Sequence, residues 1–137
     1  MFGIIKTKIM ILRKYSAFLF TALITLMISF LSLNPAEAEN RLKERIKSMT
    51  IEDRNDLLVN AHQKFFQLPY SGEKISNEIM PVVTAKRQNY APNFPERSEA
   101  GDPTENIHKW MIEYPEELAA YITYLNDKFR ELEESAR

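Results

Sequence analysis

Two histidines and a run of carboxylates hold most of the chemistry this sequence can offer. His108 lies one helical turn after Glu105 and shortly before Glu113, Glu116 and Glu117. Paired carboxylates hydrolyse glycosidic bonds when one of them is buried and raised in pKa, and a histidine can relay protons beside them. Glu113 or Glu116 with His108 is therefore a candidate for a small envelope hydrolase, and it predicts a pocket beside Trp110, the only tryptophan. The same acids have a plainer reason to be there. Tyr114-Pro115-Glu116-Glu117 reads as a helix start, where negative side chains sit favourably beside the positive end of the backbone dipole.

Other chemistries find less support. His62 stands four residues before Phe66, and Glu105/His108 could seed a metal site only with a third ligand from elsewhere. Neither histidine falls in a metal spacing such as H-E-x-x-H, and the chain has no cysteine. No metal and no cofactor is expected. Ser71 and Ser76 lack the G-x-S-x-G surroundings of a nucleophile elbow. After residue 38 the only glycines are Gly72 and Gly101, so no glycine-rich phosphate cradle exists. No catalytic residue is assigned, and the expected function is binding.

The aromatic residues suit that expectation. Tyr90, Phe94, Trp110, Tyr114 and Tyr124 cluster around an irregular stretch at 90–101 and the helices that follow it. Tyrosine is favoured at interfaces because it is both apolar and hydrogen-bonding. These five are the candidate binding residues, for a protein or cell-envelope partner. The competing reading makes Tyr90 and Phe94 anchors that pin the stretch to the helices.

Helices must position these groups. Asp102-Pro103-Thr104-Glu105 offers an N-cap, a proline at the first helical position and an acid in the first turn. Ile107, Trp110 and Met111 follow. After Pro115, the residues Leu118, Tyr121, Ile122, Leu125, Phe129 and Leu132 recur at steps of three and four, which is one apolar face of a long helix. Thr50 opens an earlier helix with Ile51, Leu58, Ala61, Phe65 and Leu68 inward, widened by Leu57, Val59 and Phe66. Pro69 ends it. Leu42, Ile46 and Met49 form a thin stripe on a charged N-terminal segment. Residues 74–90 read as a helix capped at Ser76 or Asn77 with Pro81 near its start, or as a short strand at 80–84. Pro92, Asn93, Pro95 and Gly101 keep 90–101 irregular. The expected fold is a single all-α domain of four to five helices.

A different segment precedes it. Lys6, Lys8, Arg13 and Lys14 are followed by residues 15–33 without a charge, then by Pro35 and Ala36-Glu37-Ala38. A basic start, an apolar run and an A-x-A site make a secretory signal peptide, residues 1–38, with cleavage after Ala38. The expectation is an exported protein, periplasmic or secreted, with residues 39–137 as its domain. The alternative is a membrane-anchored accessory factor that retains 15–33, which is long enough to span a bilayer. From residue 39 onward 14 Lys and Arg face 18 Asp and Glu, a net charge of −4. That argues against a dedicated nucleic-acid binder, which needs a basic face. No disulfide can form, and a domain of about 100 residues buries enough surface without one.

The order Pro92-x-Phe94-Pro95, Gly101-Asp102-Pro103, Trp110, Pro115-Glu116 resembles a segment of small secreted bacterial proteins that have no assigned activity. It covers about a quarter of the residues after Ala38. The resemblance implies export and a recurring module, and it implies no chemistry.

Overall fold

Helix starts govern how this chain folds. The computed structural model describes residues 34–137, and the expected signal segment before Asn34, with its charge-free run at 15–33, lies outside the described residues. Helix α1 is Pro35–Lys47 and α2 is Ile51–Gln63, which tightens into a 3₁₀ turn at Lys64–Gln67. Helix α3 is segmented: Gly72–Lys74, a π turn at Ile75–Ile79, Met80–Ala85 and Arg87–Tyr90. Helix α4 is Pro103–Glu113 and α5 is Pro115–Ser135. The fold is all-α, with five helices and no strand among the described residues. No helix among them is long and apolar enough to cross a membrane.

Capping side chains set three of these starts. Thr50 accepts from Asp53 N at 3.2 Å, Ser71 from Lys74 N at 3.1 Å, and Asp102 from Thr104 N at 3.0 Å. Each takes up an N–H that the first helical turn leaves without an internal partner. Thr50 and Asp102 cap as expected. Ser71 does not: it starts α3 at Gly72, several residues before the expected caps Ser76 and Asn77. The early start places Pro81 well inside a helical run. Proline has no N–H to give the ladder, and its ring meets the carbonyl four residues back. The chain widens just before it, and Met80 N bonds to Ile75 O, five residues back. This π turn lets the run continue to Tyr90, and the alternative strand at 80–84 does not form.

The core lies along α5. Leu118, Ala119, Tyr121, Ile122 and Leu125 are buried there, facing Leu58, Ala61, Phe65 and Leu68 of the α2 segment, and Ile75, Ile79 and Val83 of α3. Ile46 of α1 and Trp110 and Met111 of α4 complete it. Each fully buried aliphatic side chain contributes about 1.5–3 kcal/mol. Val59 and Phe66 do not widen the inward face of α2; they are 39% and 55% exposed. The 3₁₀ turn at Lys64–Gln67 winds more tightly than an α-helix, so Phe65 turns inward and Phe66 outward. Phe129 meets Phe65 edge-on at 6.0 Å. Residues 38–137 form one compact unit.

Arg54 ties three helices together. From α2 its Nη1 donates to the Met111 carbonyl at 2.7 Å, and its Nη2 donates to the Lys47 carbonyl at 3.4 Å. Both carbonyls lie at helix C-terminal ends, where a cation is favourable. Replacing Arg54 with alanine should lower stability by about 1–3 kcal/mol in urea titration. Lysine should recover less than half of that, because one ammonium lacks the guanidinium fork that reaches two carbonyls. Full recovery by lysine would show that charge alone matters.

Candidate functional site

Tyr114 ends one helix and begins the next. Its N–H bonds to Trp110 O at 2.9 Å, closing α4, and its carbonyl accepts from Leu118 N at 3.1 Å, opening α5. Its backbone (φ −127°, ψ 61°) is not helical, as the proline after it requires. The chain turns a corner there. Residues seven apart on a straight helix lie about 10 Å apart along the axis. Here Trp110 and Glu117 touch, with Trp110 Nε1 donating to Glu117 Oε1 at 3.4 Å.

Glu117 then takes hold of the irregular segment 91–102. Asn93 N donates to Oε1 at 2.7 Å, and Asn93 Nδ2 donates to Oε2 at 2.9 Å. Glu117 is 8% exposed, the only buried charged residue among those described. None of the four ion pairs found among the described residues includes it. Three N–H donors from a loop and a neighbouring helix replace water around a buried carboxylate, as such a group requires. One residue beyond, Phe94 sets its ring edge-on to Trp110 at 4.9 Å. The segment is thus pinned from beneath at two consecutive residues.

A row of aromatic rings crosses the adjoining helices. Tyr90 stacks on Tyr124 at 4.6 Å and 16°, Tyr124 lies at 6.5 Å and 19° from Tyr121, and Tyr121 meets His62 at 5.5 Å. A hydrogen bond of 3.1 Å joins Tyr121 Oη to His62 Nε2. Burial pushes the Tyr121 phenol up to about 12, against the opposing influence of Arg87. Burial lowers the pKa of His62, and the Arg87 charge lowers it further. Burial, with Tyr90 and Glu131 nearby, raises Tyr124. At neutral pH these phenols keep their protons and the imidazole stays uncharged, so the row supplies packing rather than a nucleophile.

Arg87 stands between this row and the pinned segment. Its guanidinium lies over the Phe94 ring, 3.9 Å from the centroid. Beyond it opens a cavity of about 250 Å³ lined by Arg87, Phe94, Glu96, Arg97 and Ile107, with Pro95, Pro103 and Asn106 at its walls. Its walls come from the end of α3, the segment 91–102 and the first turns of α4.

The five expected binding residues therefore separate. Tyr90 is 39% exposed and remains at the surface. Tyr124 backs it. Phe94 is half-buried, an anchor on one side and cavity wall on the other. Trp110 is 3% exposed and cannot meet a partner directly; it positions Phe94 and Glu117. Tyr114 is half-buried and forms the corner. The carboxylate beside Trp110 is Glu117, whereas Glu113 and Glu116 are exposed and His108 is half-buried. Among the described residues no three His, Asp or Glu side chains gather to hold a metal ion. Sequence reasoning missed Arg87, Asn93 and Arg97 as site residues, and it read Glu117 as a helix-start acid. Glu117 carried one signal, its place three residues after a proline-marked corner residue, but its neighbour Glu116 carried nearly the same. No family model matches the chain, and no curated protein or solved structure is significantly similar to it.

Removing the Glu117 carboxylate strands three donors. Glu117→Ala should cost about 2–4 kcal/mol in urea titration, and Glu117→Gln, which keeps one acceptor oxygen, should cost less. An alanine variant as stable as wild type would contradict the clamp. His62 gives a pH signature. Unfolded, it takes up a proton near 6.5; folded, it does so only at lower pH. Its contribution is intact above about 6.5 and is lost as pH falls from there through the folded pKa. The melting temperature of wild type should therefore drop more than that of His62→Gln between about pH 7.5 and 5.5. Equal drops would contradict the lowered pKa.

Proposed function

We propose that this chain is a small exported, non-enzymatic helical protein that binds a protein or cell-envelope partner. The observation that supports it best is the form of the 91–102 segment. Its inner side is fastened by Asn93 to Glu117 and by Phe94 to Trp110. Its outer side, with Tyr90 and Arg87 beside it, borders the cavity. An irregular segment held in one shape loses little freedom on binding, which favours recognition. Loops held by a rigid scaffold are where binding residues concentrate.

Export rests on the sequence. Ala36-Glu37-Ala38 lies in the exposed first turn of α1, and the buried Ile46 lies well beyond it. Cleavage after Ala38 therefore leaves the packed end of α1 in place. A carboxylate-based hydrolase draws no support from the exposed Glu113 and Glu116.

The test is made on native protein from fractionated cells. A soluble species whose intact mass begins at Glu39 is expected, and it should capture a partner from envelope extract. Tyr90→Ala combined with Arg97→Ala should lose that capture by at least tenfold, while helical circular dichroism stays near wild type and stability falls by no more than about 0.5–1.5 kcal/mol from the lost Tyr90–Tyr124 stacking. Both side chains are on the exposed side, so their truncation leaves the clamp intact. A membrane species retaining residues 15–33 would favour the anchored factor instead. Capture unaffected by the double substitution would remove this face from the account.

A further inference from the structure

The cavity at the outer side of the pinned segment has a size and a charge that select its occupant. At about 250 Å³ it falls just below the range of about 300–1,000 Å³ usual for small-molecule and cofactor sites. It suits one side chain or one chain end. Two guanidiniums and one carboxylate line it, Arg87, Arg97 and Glu96. Glu96 accepts a hydrogen bond from Ser98 Oγ at 3.4 Å. Neither arginine belongs to any of the ion pairs among the described residues.

Arg87 is also oriented. Its plane rests on the Phe94 ring at 3.9 Å, and Phe94 is itself held by Trp110 at 4.9 Å. A guanidinium packed on an aromatic face keeps its N–H groups in the plane, pointing past the ring edge, where they match the two oxygens of a carboxylate. Phe94, Pro95, Pro103 and Ile107 give the remaining wall an apolar character. The charge elsewhere works against large anions. With a net charge of −4 from residue 39 onward, the domain repels a polyanion, while a single carboxylate beside two arginines is attracted locally.

We propose that the cavity binds a carboxylate of a partner peptide, held by Arg87 and Arg97, with an adjoining apolar group against Phe94 and Ile107. The carboxylate comes from the peptide's C-terminus or from an acidic side chain; the chemistry is shared. This rests on the binding reading above and names what that face recognises.

The experiment titrates the isotopically labelled native protein with N-acetyl-leucine, N-acetyl-leucinamide, N-acetyl-glutamate α-amide and inorganic phosphate, observed by amide and arginine Nε resonances. Saturable shifts at Arg87, Phe94, Arg97 and Ile107 are expected with N-acetyl-leucine or the glutamate derivative. Which of the two binds more tightly distinguishes chain end from side chain. The leucinamide should bind at least tenfold more weakly than N-acetyl-leucine. Arg97→Gln, at an exposed position, should weaken binding of the acid at least fivefold without moving the melting temperature. Equal shifts from acid and amide, shifts away from the cavity, or tighter binding of phosphate would each overturn the proposal. If the carboxylates fail while partner capture still depends on Tyr90 and Arg97, the binding reading stands and this inference falls. If they bind while capture is absent, the cavity is a small-acid site and the partner reading falls.

Discussion

Glu117 places a carboxylate where little water reaches, and no cation among the described residues lies within ion-pair distance of it. What makes this tolerable is the convergence of three N–H donors, two from Asn93 and one from Trp110. The need runs in both directions. Without Glu117 the Asn93 amide and the Trp110 indole lose their partner, and without Asn93 the carboxylate keeps only the Trp110 indole. Leaving a buried polar group unmatched costs more than a typical matched pair contributes, so the arrangement is held mainly by the penalty for opening it.

Geometry from proline makes the clamp possible. Pro115 forces Tyr114 out of the helix, and the resulting corner brings Glu117 back beside Trp110. Pro81 has the opposite outcome. It sits inside a helical run, and the π turn before it absorbs the missing N–H and the bulk of the ring, so that α3 reaches Tyr90 and delivers Arg87 to the cavity. One proline separates two helices and one is accommodated: Pro115 is followed by Glu116 and Glu117, acids that suit a new first turn, whereas Pro81 has core residues, Ile79 and Val83, on both sides.

The sequence was legible where local chemistry decides structure. Asp102-Pro103 and Tyr114-Pro115 mark helix starts by capping and by proline, and the stripe from Leu118 to Leu125 is buried as its spacing requires. It was less legible where two local signals competed. Ser71, Ser76 and Asn77 are all able caps, and the choice of Ser71 depends on a π turn that no periodicity announces. Phe66 reads as inward only if the α period continues through Lys64–Gln67, and Val59, inside the regular helix, lies just past the edge of the stripe that buries Leu58. The candidate site was legible as a group of residues and not as an arrangement. Tyr90 with Tyr124, and Phe94 with Trp110, are indeed neighbours. Which of them is anchor and which is surface depends on Glu117 and Asn93, whose meeting across 24 positions leaves no mark on either stretch of sequence.

The measurement closest to the centre of this account is amide hydrogen exchange at Asn93 in the native protein. If Glu117 holds that N–H, its exchange should be slowed to a rate comparable with the amides of Tyr121 and Ile122, and be at least a hundredfold slower than those at residues 96–100. Exchange of Asn93 at the same rate as residues 96–100 would mean the segment is not fastened to the helices, and the preorganised binding face would have no basis.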